Sequence, residues 1–238
     1  MPVERSLPAQ LIHTVGREVV SGRLAANTVF TADDLERRFE VSRTVVREAV
    51  KVLRSKGLLD ARPKVGMVVL RRDRWNLLDA DVIAWHQDTD SNQALIRDLE
   101  EMRSVFEPWA ARTAAQRRTV DDIAALEGAY DSMARGMAKG EADALAVSAA
   151  DLLFHRTLLA ATRNELMSRL GQLMAPALRL RNEMTLPHAH DDSFLVLHGA
   201  VLEAVRTQLP DDAERAMRTL LIASAEDNAV VETQLRRR

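Results

Sequence analysis

Asp151 and His155 stand four residues apart, and an i, i+4 spacing on a helix puts both side chains on one face. Their neighbours Leu152, Leu153, Phe154, Leu158 and Leu159 are apolar, which predicts burial on most sides. A buried carboxylate needs a partner or a cation. Carboxylate and imidazole are donors that a divalent metal such as zinc accepts, and His198 is the candidate third ligand from another helix. Three protein ligands leave a coordination position open. A trio of this kind could activate a metal-bound water in an enzyme, or His155 and His198 could hydrogen-bond a ligand with no metal at all. A His on an apolar face is most often a satisfied core residue. His188 and His190, in the stretch PHAHDD, have flanks that read as an exposed loop rather than a second site.

The elements that must hold the trio are helices. Ala and Leu are abundant and aromatics scarce over the 238 residues, which favours helix over strand. Six helical segments are predicted, at about 92–117, 120–137, 141–162, 164–183, 192–207 and 211–234. Breaks fall at Thr119, Lys139-Gly140, Arg163-Asn164, Leu186-Pro187 and Leu209-Pro210, and Pro108 and Pro176 inside segments predict kinks. A bundle of this size can enclose a pocket. The chain has no cysteine, so disulfides and thiolate metal sites are excluded. No apolar run reaches the ~18 residues of a membrane span, and MPVERSLPAQ lacks the apolar core of a signal peptide. A soluble cytoplasmic protein with no membrane partner is expected.

The first part of the chain differs in charge. Residues 1–72 carry 14 Lys/Arg against 8 Asp/Glu, while the remainder carries 19 against 27. A basic segment joined to an acidic one points to a polyanion partner for the first part only. A helix is predicted from Leu7 to Val20. Thr31 with Asp34 three residues on is a capping-box start for a short helix, Asp33 to Phe39. A tight turn follows, with Ser42 as N-cap of a helix over Ser42–Lys56. There Val46, Ala49, Val50 and Leu53 form an apolar stripe beside a cationic ridge of Arg43, Arg47, Lys51 and Arg54. Gly57 ends this helix. Leu58–Ala61 and Met67–Leu70 read as a hairpin around Arg62, Lys64 and Gly66, a basic tip suited to a wing. Helix, turn, helix and wing predict DNA binding. Arg43 and Arg47, with Thr44 beside them, face the bases, and Lys51, Arg54, Arg62, Lys64 and Gly66 face the backbone. The domain plan is a winged helix-turn-helix over 1–72, a linking helix over 73–90 that packs on both halves, and a helical bundle over 91–238.

These residues resemble the GntR transcriptional regulators, in the FadR-like branch with an FCD effector domain. SRTVVREAVKVLRSKGLL matches the family signature S-R-x-x-V-R-E-A-L-x-x-L-x-x-x-G-L nearly position for position. DLLFH at Asp151–His155 with Asn164 downstream, RSVFE at Arg103–Glu107, and FLVLH ending at His198 resemble the FCD motifs in the right order. Asp33 stands where some members carry a DNA-contacting Arg, which leaves Arg43 and Arg47 as the transferable contacts.

The resemblance implies a homodimeric regulator, expected to repress, released from a DNA operator by a small molecule. It implies a metal on Asp151, His155 and His198. Leu220 falls where the family usually has a fourth ligand, a His. It also implies that Arg103 and Arg179 meet the effector carboxylate, since guanidinium presents paired donors to both oxygens. The expected effector is then a sugar acid, an aldonate such as galactonate. An enzyme acting on a small carboxylate through the same trio is the competing reading. Against it stand the absence of a nucleophile motif, a second acid/base pair or a Gly-rich phosphate loop, and the unexplained basic segment.

Overall fold

Thr31 shows how closely local sequence sets the first elements. Its hydroxyl accepts from the Asp34 amide at 3.2 Å, and the Asp34 carboxylate accepts from the Thr31 amide at 2.8 Å. This reciprocal box starts helix α2 (Ala32–Phe39). The computed structural model describes residues 6–86, 92–138, 143–185 and 193–235. The chain divides into two compact units, Met1–Asn92 and Gln93–Arg238.

In the first unit, α1 (Leu7–Val20), α2 and α3 (Arg43–Ser55) pack around Leu11, Val15, Leu35, Val46, Ala49 and Leu53. Three short antiparallel strands flank them: β1 (Val29–Phe30), β2 (Leu59–Arg62) and β3 (Gly66–Val69), in the order β1-β3-β2. The hairpin thus starts one residue later on β2 and one earlier on β3 than the sequence predicts. Strand β1, paired Val29 to Val68, is not anticipated, because two residues carry no periodicity. Ser42 occupies the N-cap position of α3, yet its side chain makes no cap hydrogen bond. The segment expected to link the halves contributes α4 (Ala80–His86). Val82 and Trp85 of α4 enter the first unit's core, with Trp85 lying against Gly16 of α1. The first unit therefore extends past residue 72.

Gly57 is fixed by two constraints. Its φ is +74°, and a Cβ there would lie 2.2 Å from the carbonyl oxygen of Arg74. Gly57→Ala should cost about 2 kcal/mol or more of first-unit stability, read by urea denaturation. A variant unfolding at the wild-type midpoint would show that this approach is not rigid.

The second unit holds α5 (Asn92–Arg117), α6 (Val120–Met137), α7 (Ala144–Ala161), α8 (Glu165–Thr185), α9 (Ser193–Arg206) and α10 (Pro210–Leu235). Thr119 and Asp122 cap α6 by the same reciprocal box, and the Asn164 side chain caps α8 by accepting from the amides of Leu166 and Met167. The two helices with a proline beyond their first turn, α5 with Pro108 and α8 with Pro176, are continuous. The core gathers Ala111 and Ala114, Leu126, Phe154 and Leu158, Val201, Met217 and Leu220. Helix α7 alone among the described residues is long and apolar enough to cross a membrane by length and composition, although Asp151, His155 and Arg156 interrupt its apolar run. More than half of it is buried in this bundle, and it carries Asp151 and His155.

Candidate metal and effector site

Asp151 and His155 of α7 and His198 of α9 converge, with one ligand atom from each within 4.8 Å of the others. All three are buried. Asp151 Oδ1 lies 3.0 Å from His198 Nε2 and 3.5 Å from His155 Nε2. The other nitrogen of each ring is committed elsewhere. His198 Nδ1 donates to the Phe194 carbonyl at 2.7 Å, and His155 Nδ1 faces Glu107 Oε2 at 2.7 Å. With Nδ1 of each ring held in this way, both Nε2 atoms turn toward the same Asp151 oxygen. That is how outer carboxylates and carbonyls orient metal-binding imidazoles. Donor separations of 3.0 and 3.5 Å also suit a tetrahedral ion with bonds of about 2.0–2.2 Å, whose edges are about 3.4 Å. The residues therefore fit a divalent cation. Leu220 belongs to the apolar core and offers no fourth donor.

Arg103 of α5 joins this cluster. Its Nε donates to Glu107 Oε1 at 2.7 Å, and its Nη2 lies 3.1 Å from His155 Nε2 and 3.4 Å from His155 Nδ1. Nearly equal distances to both ring nitrogens put Nη2 over the imidazole face rather than on the Nε2 lone-pair axis. Burial opposes the charge of Glu107, but Arg103 and His155 more than offset it and hold its carboxyl at about 2. Burial likewise opposes ionised Asp151, and His155 and His198 hold it well below the usual carboxylate range. For His155, burial disfavours the proton, and Glu107 reverses the balance and raises its value.

Helix α8 supplies two residues that motif matching misses. Asn182 donates to Asp151 Oδ2 at 2.7 Å, and Arg181 Nη1 donates to Asn182 Oδ1 at 2.8 Å. Arg181 Nη2 donates to the Ser224 hydroxyl and carbonyl on α10. Burial and the charge of Arg103 pull the Arg181 guanidinium below the usual arginine value. Arg179, the residue expected here, is exposed. Residues two apart on a helix point about 200° from one another, so a slip of two positions exchanges the solvent face for the core face. The signal was present, since Met174, Ala177, Leu178 and Arg181 follow the i, i+3, i+4, i+7 rule.

A cavity of about 370 Å³ opens beside the trio, lined by Arg97, Glu100, Arg103 and Ser104 of α5 and Arg218 and Ser224 of α10, among others. Arg103 is the residue common to the cavity wall and the trio's contacts. Its Nη1 is buried and has no hydrogen-bond partner among the described residues. His188 and His190 lie outside the described residues.

Two family models cover the chain in tandem. Residues 2–69 match the gntR family of bacterial regulatory proteins, and residues 98–223, more than half of the chain, match the FCD domain. The chain belongs to the GntR family, in the branch that carries an FCD domain. The galactonate operon transcriptional repressor of Escherichia coli K12 is 31% identical over 90% of this chain and 93% of its own. An HTH-type transcriptional repressor, NanR, of Cronobacter sakazakii is 27% identical over 77% of this chain and 70% of its own. Among solved structures, Lar of Listeria monocytogenes shares the fold, with a TM-score of 0.69 at 16% identity over 95% of this chain and 98% of that one. These relatives are transcriptional regulators and not enzymes, so the enzyme reading of the trio falls.

In this GntR regulator the residues expected at DNA lie on one unit and stay exposed: Arg43, Thr44, Arg47, Lys51, Arg54, Arg62 and Lys64. Several are already near acids. Arg43 Nη1 lies 3.8 Å from Asp33, and Asp60 lies 4.0 Å from Arg54 and 3.4 Å from Arg62. Such exposed pairs are weak and exchange readily for phosphate. Gly66 has a conformational task instead. At φ +114° its missing Cβ would sit 2.8 Å from the Phe30 carbonyl, so it seats β1 on β3.

Proposed function

We propose that this regulator is a homodimeric repressor of sugar-acid catabolism, acting on DNA in the cytoplasm, and that a small hydroxycarboxylate such as galactonate releases it. Two winged helices on a two-fold axis suit a pseudo-palindromic operator, with Arg43 and Arg47 at base edges and Lys51, Arg54, Arg62 and Lys64 at phosphates. The observation that carries the effector reading is Arg103. A buried guanidinium with one edge on Glu107 and His155, whose Nη1 has no partner among the described residues and which belongs to a residue lining the cavity, needs an acceptor. A carboxylate supplies one with matched charge. The cavity volume falls in the range of small-ligand sites. Galactonate comes first because a relative alike over nearly its whole length is named for a galactonate operon. Asp151, His155 and His198 would hold a divalent cation such as zinc, which when bound is a Lewis acid for ligand oxygens. Release requires that the effector favour one conformation over another.

Thermal shift against aldonates and aldarates, with and without chelator, paired with operator release in a gel shift, tests this reading. Stabilisation and release by galactonate, without turnover, are expected. No shift with any sugar acid, or consumption of one, would overturn it.

A further inference from the structure

The cavity that Arg103 lines also carries an acid in its wall. Glu100 stands three residues before Arg103 on α5, about 4.5 Å along the helix axis, and both line the same cavity. A ligand with its carboxylate on Arg103 can lay its next few carbons beside Glu100. The Glu100 carboxylate is half-buried and accepts from Asn228 Nδ2 of α10 through Oε1. Its Oε2 has no hydrogen-bond partner among the described residues. Burial pushes this carboxyl above its ordinary value, and Arg181, Arg103 and Arg97 offset that only in part. Asp227, beside Arg181, and Glu101, exposed on the same wall, add to the negative side. An ionised carboxylate is acceptor-only and takes several donors, and sugar hydroxyls are such donors. A second ligand carboxylate set against Glu100 either repels it or has to share a proton with it. The rest of the wall does little to reverse this. Arg218 is paired with Glu214 at 2.8 Å, and Pro108, Leu221 and Ile222 are apolar. Arg97 lies beyond Glu100 from Arg103 and is exposed, so an acid group reaching it gains only a solvated contact.

We propose that Glu100 sets the class of acid this cavity takes: it accepts hydroxyl hydrogens from a monocarboxylate anchored at Arg103 and turns away a second carboxylate. This rests on the effector reading above and narrows it. An aldonate such as galactonate meets Arg103 with its one acid group and Glu100 with its hydroxyls. Galactarate, the same carbon chain with an acid at both ends, brings a carboxylate near Glu100 whichever end Arg103 holds. A plain fatty acid of that length satisfies Arg103 and leaves Glu100 without donors. Two groups one helical turn apart on α5 thereby read two features of the ligand, a single acid and the hydroxyls next to it.

Calorimetric titration of the full chain with galactonate and with galactarate tests this. Wild type should bind galactonate about tenfold or more tightly than galactarate. Glu100→Gln keeps the size of the side chain and an amide oxygen for Asn228, and removes the carboxylate. It should tighten galactarate by about tenfold or more and weaken galactonate by about threefold or more, since a charged acceptor for its hydroxyls is lost. Opposite signs are the readout, with folding checked by circular dichroism. Loss of a merely structural contact weakens both acids, and general relief of negative charge tightens both. Either result would overturn the proposal. Asn228→Ala removes the contact and leaves the carboxylate, so the preference should persist. Its disappearance there would assign the preference to the shape of the wall and overturn the proposal. Wild type binding both acids equally would overturn it too, with the effector reading intact. No binding of either acid would overturn the effector reading and this proposal together.

Discussion

Arg103→Ala is expected to destabilise the second unit by about 3–5 kcal/mol and to abolish effector-driven release from the operator. The two losses have different origins. The stability loss comes from Glu107, left as an ionised carboxylate at 2% exposure with its guanidinium gone. The lost response comes from the missing guanidinium donors for the effector carboxylate. Pairing the change with Glu107→Gln tells them apart. The amide oxygen that this second substitution introduces can still accept from His155 Nδ1, and no charge remains unpaired, so most of the stability should return. The response to galactonate should not. Urea denaturation measures the first and a gel shift the second. A double variant that is both stable and normally released would remove Arg103 from the effector site. A single variant within about 1 kcal/mol of wild type would show that the buried pair is not held as the structure has it.

Local chemistry made much of this legible. Capping boxes at Thr31 and Thr119, the stripe Val46–Ala49–Leu53 and the turn at Gly57 are all written within a few residues, and the helices they belong to, α2, α3 and α6, fall within a residue of their predicted bounds. What the sequence withheld is tertiary. Strand β1 exists because β3 offers it an edge, and α4 sides with the first unit because Trp85 fits over Gly16. At the site, the trio was found because its i, i+4 spacing is local, while Glu107 and Asn182 act only through contacts across helices. Arg181 lay between these cases. The family resemblance points to Arg179, whereas the apolar face of α8 carries Arg181. An arginine on an apolar stripe is itself the signal, because such a group is buried only with partners.

Arg47→Ala should weaken binding to the natural operator by about 1–3 kcal/mol per half-site, roughly 5- to 150-fold, and narrow the gap between operator and unrelated DNA. The reasoning turns on where Arg47 stands in α3. The opposite face, Val46, Ala49 and Leu53, is at most 1% exposed and anchors the helix to the first unit's core. Removing the Arg47 side chain leaves that anchor untouched, so the loss should appear in recognition and not in stability. Arg43 is a less clean target, because its guanidinium also lies 3.8 Å from Asp33 and its removal frees an acid at the DNA-facing surface. Lys51→Ala is the internal control. A phosphate contact should lower affinity for all sequences alike and reduce the salt dependence by about one unit of slope, without changing base preference. Equal losses on operator and random DNA for Arg47→Ala would place Arg47 on the backbone, and the base-reading role would then pass to Arg43.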